Sequence, residues 1–278
     1  MVRSLWTAAT GMIAQQTNLD TIANNLANVN TTGYKTEVNE FKSLLYQTIQ
    51  TKTTSANGER KPSSAQVGLG VRNASISSVF KQGPLLSSEI DTNFAIDGKG
   101  FFALRSADGR TYYTRNGNFK FTLSTNGGNM LATSDGEPIL DRDGQPLILS
   151  SNYIISNVTV TADGTLCYPD ELNNPQPIRK ANGNAYQIGL WQFQNPNGLE
   201  KIANSRFAVT DASGPVINEF TNNNVQKSSV IQGYLEGSNV NVADEMVNMI
   251  TTQRAYEFNS KAITASDEML QQANNLRR

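Results

Sequence analysis

Both ends of this 278-residue chain carry a seven-residue apolar period, and the sequence between them does not. Near the start, Leu5, Met12, Leu19 and Leu26 fall at steps of seven, and Ala8, Gln15, Ile22 and Val29 run beside them three residues later. This a/d pattern, interrupted once by polar Gln15, predicts a helix over residues 4–30. Ser4 is placed to cap its start, and Gly33, after Asn30-Thr31-Thr32, to end it. At the other end, Val242, Met249, Tyr256, Ile263 and Leu270 form one column, and Ala255, Ala262, Met269 and Leu276 another. They predict a longer helix over 242–276. Asn241 suits its N-cap, Asp244 and Glu245 its first turn, and Arg277 and Arg278 its last; Glu257 and Lys261 form an i,i+4 pair. At 1.5 Å per residue the helices are about 40 and 50 Å long. Neither can bury its stripe alone, and the simplest partner of each is the other.

The middle is punctuated differently. Asp-Gly pairs stand at 97–98, 108–109, 135–136, 143–144 and 163–164, and Asn-Gly pairs at 57–58, 116–117, 126–127, 182–183 and 197–198. These are strong short-range hairpin signals, and nine of the ten lie between 97 and 198, predicting an antiparallel β domain there. Alternating runs such as Ile154–Val160 and Gln187–Phe193 read as strands. The proline-bearing stretch Tyr168–Pro177 reads as a loop. Residues 50–65 are polar and without period, and read as an exposed or extended segment. The fold class is therefore α+β: terminal helices paired as a coiled-coil-like domain, with a β-rich antiparallel domain inserted between them. Boundaries are expected at 1–40 with 236–278 for the helices, 41–93 with 203–235 for an extended connecting region, and 94–202 for the outer β domain.

Composition removes several chemistries. There is no histidine, so imidazole-based metal sites, catalytic triads and pH switches are excluded. One cysteine, Cys167, allows no internal disulfide, and in a β-rich stretch it reads as a small apolar filler. The balance of 23 basic to 24 acidic residues leaves a net charge of −1, with no footprint for nucleic acid. No signal-peptide pattern and no run of membrane-spanning length stands out.

The local motifs resolve as turns. Gly68-Leu69-Gly70 is followed by Asn73 where a dinucleotide fingerprint needs glycine. Gly98-Lys99-Gly100 runs into Phe101 and Phe102, a strand start. Asp141-Arg142-Asp143-Gly144 begins like a calcium loop, but its glycine comes too early and no Glu closes it. Asp97, Asp108 and Glu137 could serve acid–base chemistry, but the neighbouring glycines favour turns. Tyr112, Tyr113 and Arg115 are too few for a nucleic-acid platform. No catalytic, cofactor or metal residue is expected.

The N-terminal helix carries a less ordinary feature. Residues 1–34 contain two charged side chains, Arg3 and Asp20. A helix of that kind suits burial on several sides, as in a polymer whose helices line a shared core; a helical hairpin packed on its own β domain is the competing reading.

The stretch Ala23–Lys35 (ANNLANVNTTGYK), with Asn24, Asn25, Leu26, Ala27, Asn28 and Gly33, resembles the N-terminal signature of the bacterial flagellar rod and hook family. Tyr234–Ile263, with Asn239, Val240, Asn241, Gln253, Arg254, Ala255 and Tyr256, is similar to that family's C-terminal signature. Phe94–Phe102 and Tyr112–Phe119 resemble strands of its β domain. SLW near the start, Leu44–Ile49 and Gln66–Arg72 resemble the distal-rod branch most closely, whereas 125–232 match less. The resemblance implies a structural subunit, not an enzyme. It implies helical homopolymerisation into a hollow drive shaft that transmits torque and encloses the export channel. Self-assembly would rest on Leu5, Met12, Leu19, Ile22, Leu26, Val29, Val242, Met249, Tyr256, Ile263, Met269 and Leu270. Implied partners are other copies, neighbouring proximal-rod and hook subunits, and ring or bushing proteins where the host has an outer membrane; no cofactor, nucleic acid or small-molecule substrate is implied. Export without a cleaved signal would place the chain in the basal body, outside the cytoplasmic membrane. Residues 50–65 correspond to the segment that helps separate stiff rod from bendable hook.

Three alternatives stay open: a proximal-rod or hook-type paralogue, a self-contained β-rich binding module with a helical hairpin, and a carboxylate-dependent hydrolase. Polymer helices would also be poorly ordered in the free monomer, because ordering them is compensated only by neighbours.

Overall fold

The structure, a computed structural model, describes residues 2–50, 65–124, 127–151, 153–170, 174–180, 183–222 and 224–276. The segment 51–64, which holds most of the polar 50–65 stretch, lies outside the described residues, as do Arg277 and Arg278. The chain forms two compact units: residues 1–27, 37–78 and 241–278, and residues 28–36 with 79–240.

The first unit holds both long helices. α1 spans Val2–Ala27 and α2 spans Val242–Asn275. α1 ends three residues earlier than its period suggests, because Asn28–Asn30 turn, with Thr31 N–H donating to Asn28 O at 3.1 Å. Ser4 lies inside α1 and does not cap it. Asn241 does cap α2, its Oδ1 accepting from Ala243 N–H at 3.1 Å. Glu257 pairs with Arg254 at 3.2 Å rather than with Lys261, whose ammonium lies 5.9 Å from the Phe258 ring centre. Four strands complete the unit: β1 Glu37–Ser43, β2 Tyr46–Gln50, β3 Ala65–Gly68 and β4 Val71–Ser78. β1 pairs with β4 and β2 with β3, both antiparallel.

The second unit is built on β5 Leu85–Ser87, β6 Phe94–Asp97, β7 Phe101–Arg105 and β8 Thr111–Thr114, with later strands. Its main sheet has six strands, in the order Glu200–Ile202, Arg206–Ala208, β8, β7, Leu190–Phe193, Val216–Asn218. Every strand pairing described is antiparallel, as the Asp-Gly and Asn-Gly spacing predicts. The adjacent Phe101 and Phe102 show how the core is organised. Successive side chains of a strand point to opposite faces. Phe102 therefore joins Leu104, Phe119, Ile139 and Ile188 in one cluster, while Phe101 joins Tyr113, Trp191, Phe193 and Phe207 in another. A sheet covered on both faces explains why Leu190–Phe193 is buried throughout rather than alternating.

Two readings of the middle change. Ile154–Val160 is a short 3-10 turn, Ile155–Asn157, followed by the strand Thr159–Val160. The proline-bearing stretch is a hairpin: Leu166–Pro169 pairs with Pro175–Pro177, the edge strand of its sheet. Proline lacks only a donor, and an edge strand can present that side outward. Asp141–Gly144 is the turn expected; Asp141 Oδ1 accepts from the N–H groups of Asp143 and Gln145, both at 2.9 Å. Cys167 is buried in its strand, and burial pushes its thiol pKa up. Tyr113 and Arg115 are buried rather than displayed, and the Arg115 guanidinium lies 5.1 Å from the Phe101 ring centre.

Candidate assembly interface

The two helices meet along a line that is polar. Ser4 Oγ and Ser266 Oγ are 3.4 Å apart, and Asn18 Nδ2 donates to Thr252 Oγ1 at 2.9 Å. A Cβ placed on Gly11 would lie 2.9 Å from Asn259 Nδ2, so glycine permits this closeness. Each step of seven along α1 matches a step of seven back along α2, which makes the pairing antiparallel. The same step of seven leads on to Asn25 on α1 and Glu245 on α2, and both are buried.

The line of contact thus corrects the apolar seam expected on α2. Its buried column is Glu245, Thr252 and Ser266, with Asn259 half-buried. Met249, Ala255 and Ile263 are half-buried beside it, whereas Val242, Tyr256, Ala262, Met269, Leu270 and Leu276 are exposed. On α1, Ala8 and Ile22 are buried, and Leu5, Met12, Gln15, Leu19 and Leu26 are half-buried, as is Val29 beyond the helix end. Small and hydrogen-bonding side chains hold the pair close together, and large apolar ones are left outside. Met246, Val247, Ile250 and Phe258 are each more than half exposed on α2, as are Trp6 and Ile13 on α1. Fully burying one such side chain is worth about 1.5–3 kcal/mol. A signal for the polar column existed: Ser4, Gly11, Asn18 and Asn25 repeat at seven, but a search for apolar periods passes over them.

Asn25 and Asn239 of the signatures hold backbone in place. Asn25 Nδ2 donates to Glu37 O, and Glu37 N–H donates to Asn25 Oδ1, each at 2.8 Å, so the amide acts as a strand partner for the start of β1. Asn24 Nδ2 donates to Glu37 Oε2 at 3.3 Å, and Asn28 Oδ1 accepts from Thr31 Oγ1. In the second unit, Asn239 Oδ1 accepts from Thr36 N–H and Oγ1, and its Nδ2 donates to Val79 O and Lys81 O. Ala27, Gln253 and Arg254 are exposed and Val240 is buried.

Gly33 and Glu236 meet inside the second unit. Gly33 takes φ +70°, donates to Glu236 O at 2.8 Å, and leaves no room for a Cβ against Arg115 and Asn116 backbone. The Glu236 carboxylate accepts from Lys35 Nζ at 2.5 Å, Arg115 Nη1 at 3.3 Å and Gly83 N–H at 3.0 Å. All three charged side chains are almost wholly buried. Burial pulls both cations below their ordinary pKa values, and Glu236 opposes that pull. Three residues distant in sequence thus tie the chain leaving α1 to the strand that precedes α2. No local pattern announces this triad.

Among the described residues no group of three or more acidic or thiol side chains could hold a metal, and no helix is long and apolar enough to cross a membrane. Glu137 is ion-paired with Arg206, and Asp97 accepts from Gln82.

Residues 5–35 match the flagella basal body rod protein family, 95–168 the flagellar hook protein FlgE/F/G D1 domain, and 231–276 the flagellar basal body rod FlgEFG protein C-terminal domain. The chain is 42% identical to the flagellar basal-body rod protein FlgG of Borreliella burgdorferi over the full length of both. It is 41% identical to FlgG of Buchnera aphidicola subsp. Acyrthosiphon pisum over 99% of this chain and all of the other, and 38% identical to FlgG of Agrobacterium fabrum over 96% and 97%. On that full-length likeness the chain belongs to the FlgG family of flagellar basal-body rod proteins, structural subunits of the rod.

Proposed function

We propose that this chain polymerises helically as a distal-rod subunit, forming the hollow shaft that carries torque to the hook and surrounds the export channel. One observation carries the reading: the helix pair uses its polar residues for its own contact and leaves large apolar residues outside. Contiguous exposed apolar surface marks an interaction site, and a surface running along a helix pair suits identical neighbours stacked around an axis. The chain's neighbours would be its own copies, with proximal-rod and hook subunits at the ends and ring or bushing proteins where the host has an outer membrane. It would work outside the cytoplasmic membrane.

Self-assembly is assigned to α1 and α2, including the half-buried Leu19 and Ile263 and the exposed Tyr256, Met269 and Leu270. Leu19→Asp, Ile263→Asp and Phe258→Asp are expected to abolish rod assembly while the β-rich second unit stays folded. Sedimentation of purified chain, beside circular dichroism of the same sample, reads both. Polymers from all three variants would refute the assignment. Hydrogen exchange of the unpolymerised chain is a second check: fast exchange over 1–35 and 240–278 with a protected 95–200 is expected, and slow exchange at both ends would favour a self-sufficient hairpin.

A further inference from the structure

A cavity of about 290 Å³ opens inside the first unit where α1, α2 and β1 meet. Two residues of its lining carry a buried acceptor that has no donor among the described residues: Glu245 Oε2 and Asn39 Oδ1, on residues only 8% exposed. A buried acceptor without a partner is destabilising, and more so when charged. Glu37 adds a second carboxylate to the wall, and among the described residues no lysine or arginine lines it. Asn18 and Thr252 in the same wall are already bonded to each other. At the mouth, Val38 and Phe41 line the cavity and remain exposed. The interior therefore asks for a cationic donor and the rim for an aliphatic stem. A lysine or arginine side chain has that division, an apolar stem ending in a charged head, and its cation can also lie against the Phe41 ring.

We infer that this cavity is a socket for a basic side chain of a second copy of the chain, its cation bonded to Glu245 Oε2 and Asn39 Oδ1 in the assembled polymer. The inference rests on the rod reading and adds a charged, directional contact to its apolar ones. An oriented ion pair fixes the register between copies, which apolar contact alone does not.

The test uses the full chain and two near-isosteric variants. Each is measured twice: thermal stability of the unpolymerised chain, and the critical concentration for polymerisation. Glu245→Gln replaces a carboxylate whose Oε2 has no hydrogen-bond partner among the described residues. Its unpolymerised form is expected to be at least as stable as wild type, with a critical concentration raised tenfold or more. Asn39→Asp adds a carboxylate to the socket; the free chain is expected to lose stability and the critical concentration to fall. These opposed signs separate an intersubunit contact from a structural role within one chain. A Glu245→Gln chain that melts lower yet polymerises like wild type overturns the inference. So does unchanged polymerisation in both variants, which would mean that solvent satisfies the socket. A rise in wild-type melting temperature with added potassium, sodium or magnesium chloride, absent in Glu245→Gln, overturns it in favour of an inorganic ion. If wild type forms no polymer at any concentration, the rod reading fails and the socket with it; if only the variants behave as wild type, the socket alone fails.

Discussion

Replacing Glu236 by Gln probes the buried triad of the second unit with almost no change in shape. In the native chain one carboxylate serves Lys35 at 2.5 Å, Arg115 at 3.3 Å and the Gly83 N–H at 3.0 Å. A glutamine oxygen in the Oε1 position can still accept from Lys35 and Gly83. Its amide group in the Oε2 position then faces Arg115 donor to donor. Arg115 Nε already lacks a partner, so the guanidinium keeps only its bond to Gly98 O at 2.7 Å. Lys35 then has no counter-charge and Arg115 keeps only the more distant pull of Glu219, and breaking a buried pair in this way costs about 3–5 kcal/mol. The retained oxygen contacts favour the lower end, about 3 kcal/mol. At about 2–4 °C per kcal/mol for a domain of this size, the second unit should melt about 6–12 °C lower. Lys35→Met in the Glu236→Gln background should recover part of that loss, because it removes one uncompensated cation. Calorimetry of the four chains of this double-mutant cycle gives the coupling directly. A Glu236→Gln unit within about 1 kcal/mol of wild type, with no coupling to Lys35, would refute the claim that this cluster ties the chain crossings together.

Other perturbations have equally definite signs. Burial raises the Tyr113 pKa from 10.0 to about 12, so between those values the unfolded chain loses a proton that the folded chain keeps. Stability present below pH 10 should fall by about 2–3 kcal/mol on going to pH 12; alkaline denaturation of Tyr113→Phe, which has nothing to ionise there, should lack that component. Gly11→Leu drives a side chain into Asn259 and should separate the helices, detected as faster hydrogen exchange in both with the second unit unchanged. Asn25→Ala removes two bonds to Glu37 and should destabilise the first unit by about 1–3 kcal/mol in denaturant titration; an unchanged midpoint would remove the amide from its role as strand partner.

Much of the fold is local and was legible for that reason. A helix announces itself by its period, and α2 begins and ends within a residue of the span its period and Asn241 define. A tight hairpin announces itself by a dipeptide, as Asp143-Gly144 does, with Gly144 at φ +74°. The hairpin of Leu166–Pro169 and Pro175–Pro177 was hidden because proline is read as a strand breaker, although at a sheet edge its missing donor costs little. Nothing near Lys35, Arg115 or Glu236 indicates that they meet; such a cluster exists only after the chain has folded. The Asn signatures were visible as residues, but only the structure shows that they hydrogen-bond backbone where the chain enters and leaves the helices.

The helix seam was illegible for a different reason, and that reason bears on function. Period analysis assumes that apolar residues face the partner within the same chain. Here Ser4, Gly11 and Asn18 face Ser266, Asn259 and Thr252, and they are small enough or polar enough to hold two helices close with hydrogen bonds. These polar contacts themselves contribute little hydrophobic stabilisation; the buried apolar side chains of α1 are the small Ala8 and Ala14 and the single Ile22. A monomer evolved to stand alone would turn Ile250 or Phe258 inward and put the serines outside. The reverse arrangement leaves Ile250 and Phe258 exposed, which is where the proposed contacts between copies would form. Turning it around makes a sharp test: replacing Asn18 and Thr252 together by Leu should strengthen the pairing within one chain, slow exchange at both ends of the monomer, and weaken polymerisation if assembly needs helices free to adjust. Tighter polymerisation from that double variant would show instead that the helix pair enters the rod as a preformed unit.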